Sequence, residues 1–359
     1  MTNSRGLRVT DNVLIIESDD WGAIRTPSAA ALDRMTEKGL QLADTFYKFD
    51  SLASEDDLDF LFNVLHKVRN IDGDSVKLTA NTIVANPDFQ KIRDGKFRSY
   101  FYEPFTDTLA QYPKHSKSFD KWRQGMAENI FRPQFHGREH LNINRWLRRL
   151  QEGDKDTLFC FDQKTTYSGF GDYSFMEAFD WDSEKDVSLH QAIIADGLEL
   201  FEKIFRFKSK SFIAPCYNWD SSLDPNFPQM GIEILQSSKH QLVPTGQFGQ
   251  YIKKRHHFGE LRGGCPMYNL RNCVFEPSMN PNKDWVDSCL AEIQSAFTFR
   301  KPAVICSHRV NYIGFINEKN RDFSLCELER LLLKVVQKWP EVRFVFTDQV
   351  KNFISNENG

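Results

Sequence analysis

Val13-Leu14-Ile15-Ile16 opens the stretch that decides the fold, and Glu17-Ser18-Asp19-Asp20-Trp21-Gly22 follows it directly. A continuous apolar run of this length is typical of a β-strand that is buried on both faces, as in a parallel sheet. The polar residues after it are predicted to form a loop. Because ligands of α/β proteins bind at the carboxyl ends of parallel strands, Asp19 and Asp20 are the first candidate site residues.

Short apolar runs alternate with helical patterns along the whole chain. Further strands are predicted at 76–84, 131–135, 211–214, 230–235, 303–306 and 342–346. Helices are predicted at 28–39, 58–65, 118–129, 143–150, 187–204, 284–296 and 324–338. Residues 96–117 are expected to be loop, and 154–186 an irregular insertion over one mouth of the domain. This alternation predicts one α/β domain over 1–359 with a parallel sheet, either a barrel or a doubly wound sheet.

Composition excludes several classes of protein. The chain has 359 residues, of which 40% are hydrophobic, and a formal net charge of −3, which does not favour a general nucleic-acid or membrane-surface binder. No stretch approaches the ~20 apolar residues of a membrane span. Residues 1–12 lack the apolar segment of a signal peptide, and the seven cysteines form no CxxC pair. We therefore expect a cytoplasmic protein without a disulfide framework or a structural zinc knuckle.

Two histidines four residues apart, His136 and His140, follow the predicted strand at 131–135. On one helical turn this spacing places both rings on the same face, a common arrangement for binding Zn²⁺. The alternative is a pair of unrelated surface histidines. Gly137 stands where the HExxH metalloprotease motif has glutamate. Two histidines and one carboxylate, here from Asp19 or Asp20, form an open metal site that leaves positions for water and substrate.

Polar and aromatic residues follow two further predicted strands. His308 comes after the strand at 303–306, and Tyr217 and Trp219 come after the strand at 211–214. His308 is either a general acid or a buried core histidine, and a metal at the same edge of the sheet favours the acid. The aromatic side chains that are candidates for stacking on sugar rings are Trp21, Tyr217, Trp219 and Tyr312.

These blocks, in this order, resemble the motifs of the polysaccharide deacetylase family. The matching stretches are Ser18-Asp19-Asp20, His136 to His140, Ala214-Pro215-Cys216-Tyr217-Asn218, Ile305-Cys306-Ser307-His308 and the closing Phe344-Val345-Phe346-Thr347-Asp348. The resemblance implies a distorted (β/α)7-type barrel with inserted loops. It also implies that Asp19 is the catalytic base and His308 the general acid. The implied ligands of a divalent metal, Zn²⁺ first, are Asp20, His136 and His140.

The resemblance further implies the reaction, which is metal-dependent removal of an N- or O-acetyl group from a carbohydrate. The residues expected to bind the substrate are Trp21, Tyr217, Trp219 and Arg309. The backbone N–H of Tyr217 is expected to stabilise the oxyanion.

Three features depart from the family pattern: Trp21 is inserted between Asp20 and Gly22, the later Asp-Trp block that tunes the acid histidine is not recognisable, and one arginine is replaced. The family's arginine that orients the base is Ala214 in this chain. Arg138, Arg262 or Arg309 is therefore expected to substitute for it.

Two other functions remain open from the residues alone. A glycoside hydrolase on the same barrel would need two carboxylates across the glycosidic bond, about 5–5.5 Å or 6.5–9.5 Å apart. The candidates for such a pair are Glu17, Asp220 and Glu276. A sugar-binding protein that has lost catalysis is the second alternative.

Overall fold

The buried strand at the start of the chain lies in the middle of a parallel sheet. The computed structural model describes residues 2–43, 45–168 and 174–355. Within these residues the strands are β1 (Val13–Trp21), β2 (Leu78–Ile83), β3 (Ala85–Pro87), β4 (Tyr102–Pro104), β5 (Phe131–Gly137), β6 (Ser211–Phe212), β7 (Ile234–Ser237), β8 (His240–Pro244), β9 (Tyr251–Arg255), β10 (Met267–Leu270), β11 (Cys273–Val274), β12 (Ala303–His308) and β13 (Arg343–Phe344).

The helices flank these strands. In the same ranges they are α1 (Ala29–Glu37), α2 (Glu55–Lys67), α3 (Phe89–Asp94), α4 (Phe105–Ala110), α5 (Ser118–Ala127), α6 (Ile143–Gln151), α7 (Lys155–Asp162), α8 (Lys185–Phe205), α9 (Trp285–Thr298) and α10 (Glu318–Lys338). None of them is long and apolar enough to cross a membrane. The predictions of a single domain and of a cytoplasmic location stay predictions.

The main sheet has the strand order β10-β7-β6-β5-β2-β1-β12-β11, and β13 pairs with β1. Every pair in this sheet is parallel. The eight strands of this path curl into a half-barrel, so the predicted α/β barrel-like class is confirmed. Two antiparallel hairpins, β3–β4 and β8–β9, lie outside the sheet.

The two edges of the half-barrel are joined by the chain itself. Strand β10 lies at one end of the path and β11 at the other, yet only Arg271 and Asn272 separate them. The N–H of Arg271 donates to Ser237 O on one side at 2.9 Å, and the N–H of Asn272 donates to Val304 O on the other at 3.1 Å. The two-residue link is therefore fixed at one edge through Arg271 and at the other through Asn272.

The core forms between the sheet and its helices. At the start of α2, Ser54 and Asp57 form a reciprocal capping box. This helix buries Leu58, Leu61 and Leu65 in the main hydrophobic cluster. Each such side chain contributes about 1.5–3 kcal/mol through burial. The packing fixes the position of the strands, and with them the strand ends that carry the candidate site residues.

The structure corrects four predictions of local structure. Strand β1 runs on through Trp21, so 17–21 is not a loop, because buried partners satisfy its polar side chains. Residues 96–117 contain β4 and α4, and 154–186 contain α7, while 169–173 of that predicted insertion lie outside the described residues. His136 belongs to β5 and His140 to the loop before α6, so the pair does not share a helical turn.

Candidate active site

Asp20, His136 and His140 converge at one edge of the barrel. All three side chains are buried, and each offers a ligand atom within 4.8 Å of the other two. The Nε2 atoms of His136 and His140 lie 3.5 and 3.6 Å from Oδ1 of Asp20. Ligand atoms that bind one Zn²⁺ at ~2.0–2.2 Å in a tetrahedron are about 3.2–3.6 Å apart. The spacing of these three side chains therefore suits a shared cation.

The orientation of His136 supports the same conclusion. Its Nδ1 donates to the carbonyl oxygen of Ile213 at 2.9 Å, which leaves the lone pair of Nε2 facing Asp20. Nε2 is buried and has no hydrogen-bond partner among the described residues. A buried polar atom without a partner is costly, and a cation bound to this atom would remove the cost. The residues present thus fit a divalent metal.

An unusual backbone conformation brings both aspartates to this edge. Consecutive residues of a strand normally point to opposite faces of a sheet. Asp20 has a φ of 71°, and the register of β1 against β2 shifts between Ser18 and Trp21. A left-handed conformation costs a non-glycine residue about 1–3 kcal/mol and is found mainly at functional sites. Here it breaks the alternation, so that Asp19 and Asp20 both serve one site.

Charges and burial shift the pKa values of Asp20 and His140. Burial opposes ionisation of Asp20, but the charge of Arg25, together with the neighbouring histidines, outweighs it and lowers the pKa of this carboxyl well below its usual range. Burial and the charge of Arg25 both lower the pKa of His140. A carboxylate and a neutral imidazole are the forms that bind metals.

Asp19 is fixed by Arg271, which sequence reasoning did not select. Arg271 donates from Nη1 to Oδ2 of Asp19 at 2.7 Å and from Nη2 to Oδ1 at 2.5 Å. Its Nε donates to Glu17 at 2.7 Å, beneath Asp19 in the barrel interior. Asn81 adds a hydrogen bond to Asp19 at 2.7 Å. Burial raises the pKa of Asp19, but the charge and hydrogen bonds of Arg271 outweigh it and lower the pKa to about 2.

His308 faces Asp19 across the site. Its Nε2 lies 3.9 Å from Oδ2 of Asp19, and its Nδ1 bonds to Oε1 of Glu276 at 2.6 Å. Asn311 donates to the other oxygen of Glu276 at 2.7 Å. Burial favours the neutral ring, but the charge and hydrogen bond of Glu276, together with the charges of Asp19 and Asp20, outweigh it and raise the pKa of His308 well above its usual range. The imidazolium is therefore available as a proton donor.

Two aromatic residues line the space in front of these groups. The ring of Phe46 packs on the ring of His308 with a centroid distance of 4.6 Å, and Phe46 is only half-buried. Tyr217 is also half-buried, and its hydroxyl accepts a hydrogen bond from Nη1 of Arg271 at 3.0 Å. Phe46 and Tyr217 thus form walls of the site that a substrate can touch.

The structure corrects the other predicted contacts to substrate. Trp21 is 1% exposed and packs edge-on against Trp122 and Phe131, and Trp219 is also 1% exposed. Tyr312, 0% exposed, shares a hydrogen bond with Ser307. Arg309 is 0% exposed and pairs with Asp50. The three rings are buried in the core and Arg309 is buried in an ion pair, so none of these four side chains is exposed to a sugar.

The oxyanion prediction and the arginine prediction are also wrong. The backbone N–H of Tyr217 donates to Ala214 O at 3.0 Å in a tight turn and is not free. Arg138 pairs with Glu139 and Asp196, Arg262 pairs with Glu260, and Arg309 pairs with Asp50. The guanidinium that reaches the base comes from Arg271, on a different strand end.

The three carboxylates considered for a glycoside hydrolase are each bound to other groups of the protein. Glu17 is 0% exposed and binds Arg271. Asp220 accepts hydrogen bonds from Ser222 N and from the indole of Trp181. Glu276 orients His308. No observation on these side chains favours cleavage of a glycosidic bond.

Arg271, Glu276 and Phe46 are the functional candidates that the sequence reasoning missed or misassigned. Arg271 follows strand β10 directly, so the missed signal was the short run at 267–270 that precedes it. Glu276 was considered only as a glycosidase carboxylate. Phe46 lies in a short irregular segment after α1, and no sequence pattern marks it.

This chain was compared with known proteins in sequence and in structure. No family model matches the chain, and no curated protein matches it in sequence. Similar solved structures include 4-α-glucanotransferase from Thermococcus litoralis, with 7% identity over 95% of this chain and a TM-score of 0.47. This chain spans 41% of the length of that enzyme.

Two further structures are matched over most of their length. The peptidoglycan deacetylase PdaC from Bacillus subtilis is 11% identical, with 96% of this chain and 92% of that chain covered and a TM-score of 0.35. The α-amylase AmyC from Thermotoga maritima is 8% identical, with 98% and 76% covered and a TM-score of 0.48. The similar structures thus include both deacetylases and enzymes acting on glycosidic bonds, and the reaction has to be argued from the site.

Proposed function

We propose that this chain is a metal-dependent hydrolase that removes an N- or O-acetyl group from a carbohydrate. One observation carries the proposal. A three-residue cluster suited to a divalent cation (Asp20, His136 and His140) lies beside the carboxyl group of Asp19 and the imidazole of His308. Hydrolysis of an amide or ester needs this combination of an electrophilic centre, a base and an acid.

The fit of Asp20, His136 and His140 to Zn²⁺ follows from their spacing, their burial and the unpartnered Nε2 of His136. When bound there, the ion would polarise the acyl carbonyl and lower the pKa of water. Because the set contains two nitrogen ligands and one oxygen ligand, Zn²⁺ is the first candidate, and other first-row divalent ions are alternatives.

In this proposal, Asp19 accepts a proton and His308 donates one. Asp19, held ionised by Arg271, accepts a proton as water attacks the carbonyl carbon. The C–N or C–O bond to the sugar then breaks, and His308 gives the Nε2 proton to the departing nitrogen or oxygen. The products are acetate and a free amine or hydroxyl. The 3.9 Å separation of Asp19 and His308 lets both act on one reacting centre.

The proposal of a carbohydrate substrate is supported by the half-exposed aromatic walls. Phe46 and Tyr217 border the groups that would carry out the reaction. Flat apolar rings pack against the C–H faces of sugars, while the polar groups around them remain available to hydroxyls.

The test combines metal content with acetate release. Purified wild-type protein, Asp19→Asn and His136→Ala are analysed by inductively coupled plasma mass spectrometry and assayed on a panel of N-acetylated and O-acetylated oligosaccharides. We expect one metal per wild-type chain, retained metal with at least a hundredfold lower rate for Asp19→Asn, and loss of both for His136→Ala. A wild-type chain that binds no divalent metal, or a metal-loaded chain inactive on every acetylated sugar, would overturn the proposal.

A further inference from the structure

We propose that Arg25 is a displaceable counter-ion of the metal site, bound to Asp20 when the cation is absent and shifted towards Asp50 when the cation binds. The inference rests on the metal site of the proposed function. It adds a control of metal affinity by two residues that are not themselves ligands.

The first observation concerns the oxygen atom of Asp20 to which Arg25 is bound. Nη2 of Arg25 donates to Oδ1 of Asp20 at 3.0 Å. This is the same oxygen that faces the Nε2 atoms of His136 and His140. Both Arg25 and Asp20 are buried, so their charges are weakly screened. A guanidinium and a divalent cation therefore compete for one oxygen and repel each other.

The second step is the place to which Arg25 can move. Nε of Arg25 and Oδ2 of Asp50 are both buried and, within the ranges that the structure describes, neither has a hydrogen-bond partner. The two atoms are 3.8 Å apart, beyond hydrogen-bond distance. A shift of about 1 Å would bring them within it. One small movement would thus satisfy two buried polar atoms at once.

The contacts of Asp50 leave its Oδ2 atom able to accept a hydrogen bond from Nε of Arg25. Arg309 donates to Oδ1 of Asp50 at 2.9 and 2.8 Å, which fixes the carboxylate and leaves Oδ2 directed elsewhere. Tyr47 flanks the path, with its ring centroid 5.6 Å from Cζ of Arg25. Arg25 is therefore confined to a short path between Asp20 and Asp50.

Two consequences for metal affinity follow. Arg25 opposes binding, because the cation must displace it from Asp20. Asp50 assists binding, because it accepts the displaced guanidinium. The effect of Asp50 should therefore depend on Arg25, which is the feature that separates this arrangement from two independent charges.

The test measures the Zn²⁺ dissociation constant by competition with a chromophoric chelator. The variants are Arg25→Met, Arg25→Lys, Asp50→Asn and the double variant Arg25→Met/Asp50→Asn. We expect Arg25→Met to bind Zn²⁺ about tenfold more tightly or better, and Arg25→Lys to stay close to wild type. Asp50→Asn should weaken binding severalfold, and clearly less so in the Arg25→Met background.

Controls separate this inference from loss of the fold. Arg321→Met removes another buried arginine, one that pairs with Asp57, and should leave the dissociation constant unchanged. If Arg25→Met does not fold, Arg25→Gln replaces it, because its shorter neutral amide fills part of the same space. A crystal structure with Zn²⁺ should show Nε of Arg25 within hydrogen-bond distance of Oδ2 of Asp50.

The outcomes distinguish the two proposals. Wild-type protein that binds one Zn²⁺ with an affinity unchanged by Arg25→Met and by Arg25→Gln overturns the inference and leaves the proposed function standing. Wild type without metal, together with an Arg25 variant that binds one equivalent, supports the inference and overturns the metal-dependent activity of the natural chain. Metal binding by none of these proteins overturns both.

Discussion

Arg271 and Asp19 form a two-pronged ion pair, with Nη1 to Oδ2 at 2.7 Å and Nη2 to Oδ1 at 2.5 Å. The two residues are 252 positions apart in the chain. Strand β1 supplies the carboxylate from the middle of the sheet, and the two-residue link between the sheet edges supplies the guanidinium. The proposed base is thus held by the segment that joins the open edges of the barrel.

Replacing Arg271 by lysine tests this positioning role. A single ammonium cannot make the two parallel hydrogen bonds, so Asp19 would lose its fixed orientation. We expect a fall in kcat of about a hundredfold, with one metal still bound per chain. Steady-state kinetics and metal analysis of the same preparation check the prediction. A kcat within a factor of three of wild type would contradict it.

Glu276→Gln tests the protonation of His308. The charge of Glu276 raises the pKa of His308, and the acid form is present below that pKa and lost as pH rises through it. The amide oxygen of glutamine still accepts a hydrogen bond but carries no charge. We expect the alkaline limb of the kcat profile to move to lower pH. An unchanged limb, with normal metal content, would show that His308 is not the group titrating there.

Phe46→Ala tests the aromatic wall over His308. Phe46 is half-buried and contacts the imidazole, so its loss removes a surface for the sugar more than it disturbs the core. We expect kcat/KM to fall about three- to tenfold. The matched control is Phe299→Ala, which removes a 38% exposed ring at the end of α9. Equal effects of both substitutions would argue against a substrate contact.

Gly197→Ala tests the packing that positions β5. A Cβ at Gly197 would lie 2.8 Å from the ring of Phe135 and 2.9 Å from Cβ of Arg138. Alanine normally stabilises a helix by about 1 kcal/mol relative to glycine, but this contact should reverse the sign. We expect a loss of about 1–3 kcal/mol in the free energy of unfolding by urea. Glu199→Ala, exposed on the same helix, should change it by less than about 0.5 kcal/mol.

Much of the architecture could be read from local patterns. Apolar runs such as 13–16 and 303–306 identified strands β1 and β12, and helical patterns such as 284–296 identified helices such as α9. These signals are local because burial and capping act within a few residues. Short strands such as β10 and β11, with four and two residues, carry only a weak pattern and were not predicted.

The clustering of Asp20, His136 and His140 was also predictable, although their local structure was not. The prediction placed the two histidines on one helical turn, whereas β5 ends after His136 and His140 lies in the loop beyond. The predicted helical turn and the observed strand end both place the histidines at the same site, because parallel strands end at a common edge. The order of strands and polar residues was therefore sufficient without the correct backbone.

The sequence by itself determined the α/β class, the strand-end positions of the acidic residues and histidines, and the grouping of three of them around a possible cation. Only the tertiary structure decided which arginine holds Asp19, which carboxylate charges His308, and which aromatic rings are exposed. The reason is physical. Strand formation depends on near neighbours in the chain, whereas ion pairs and burial depend on side chains brought together from positions such as 19 and 271.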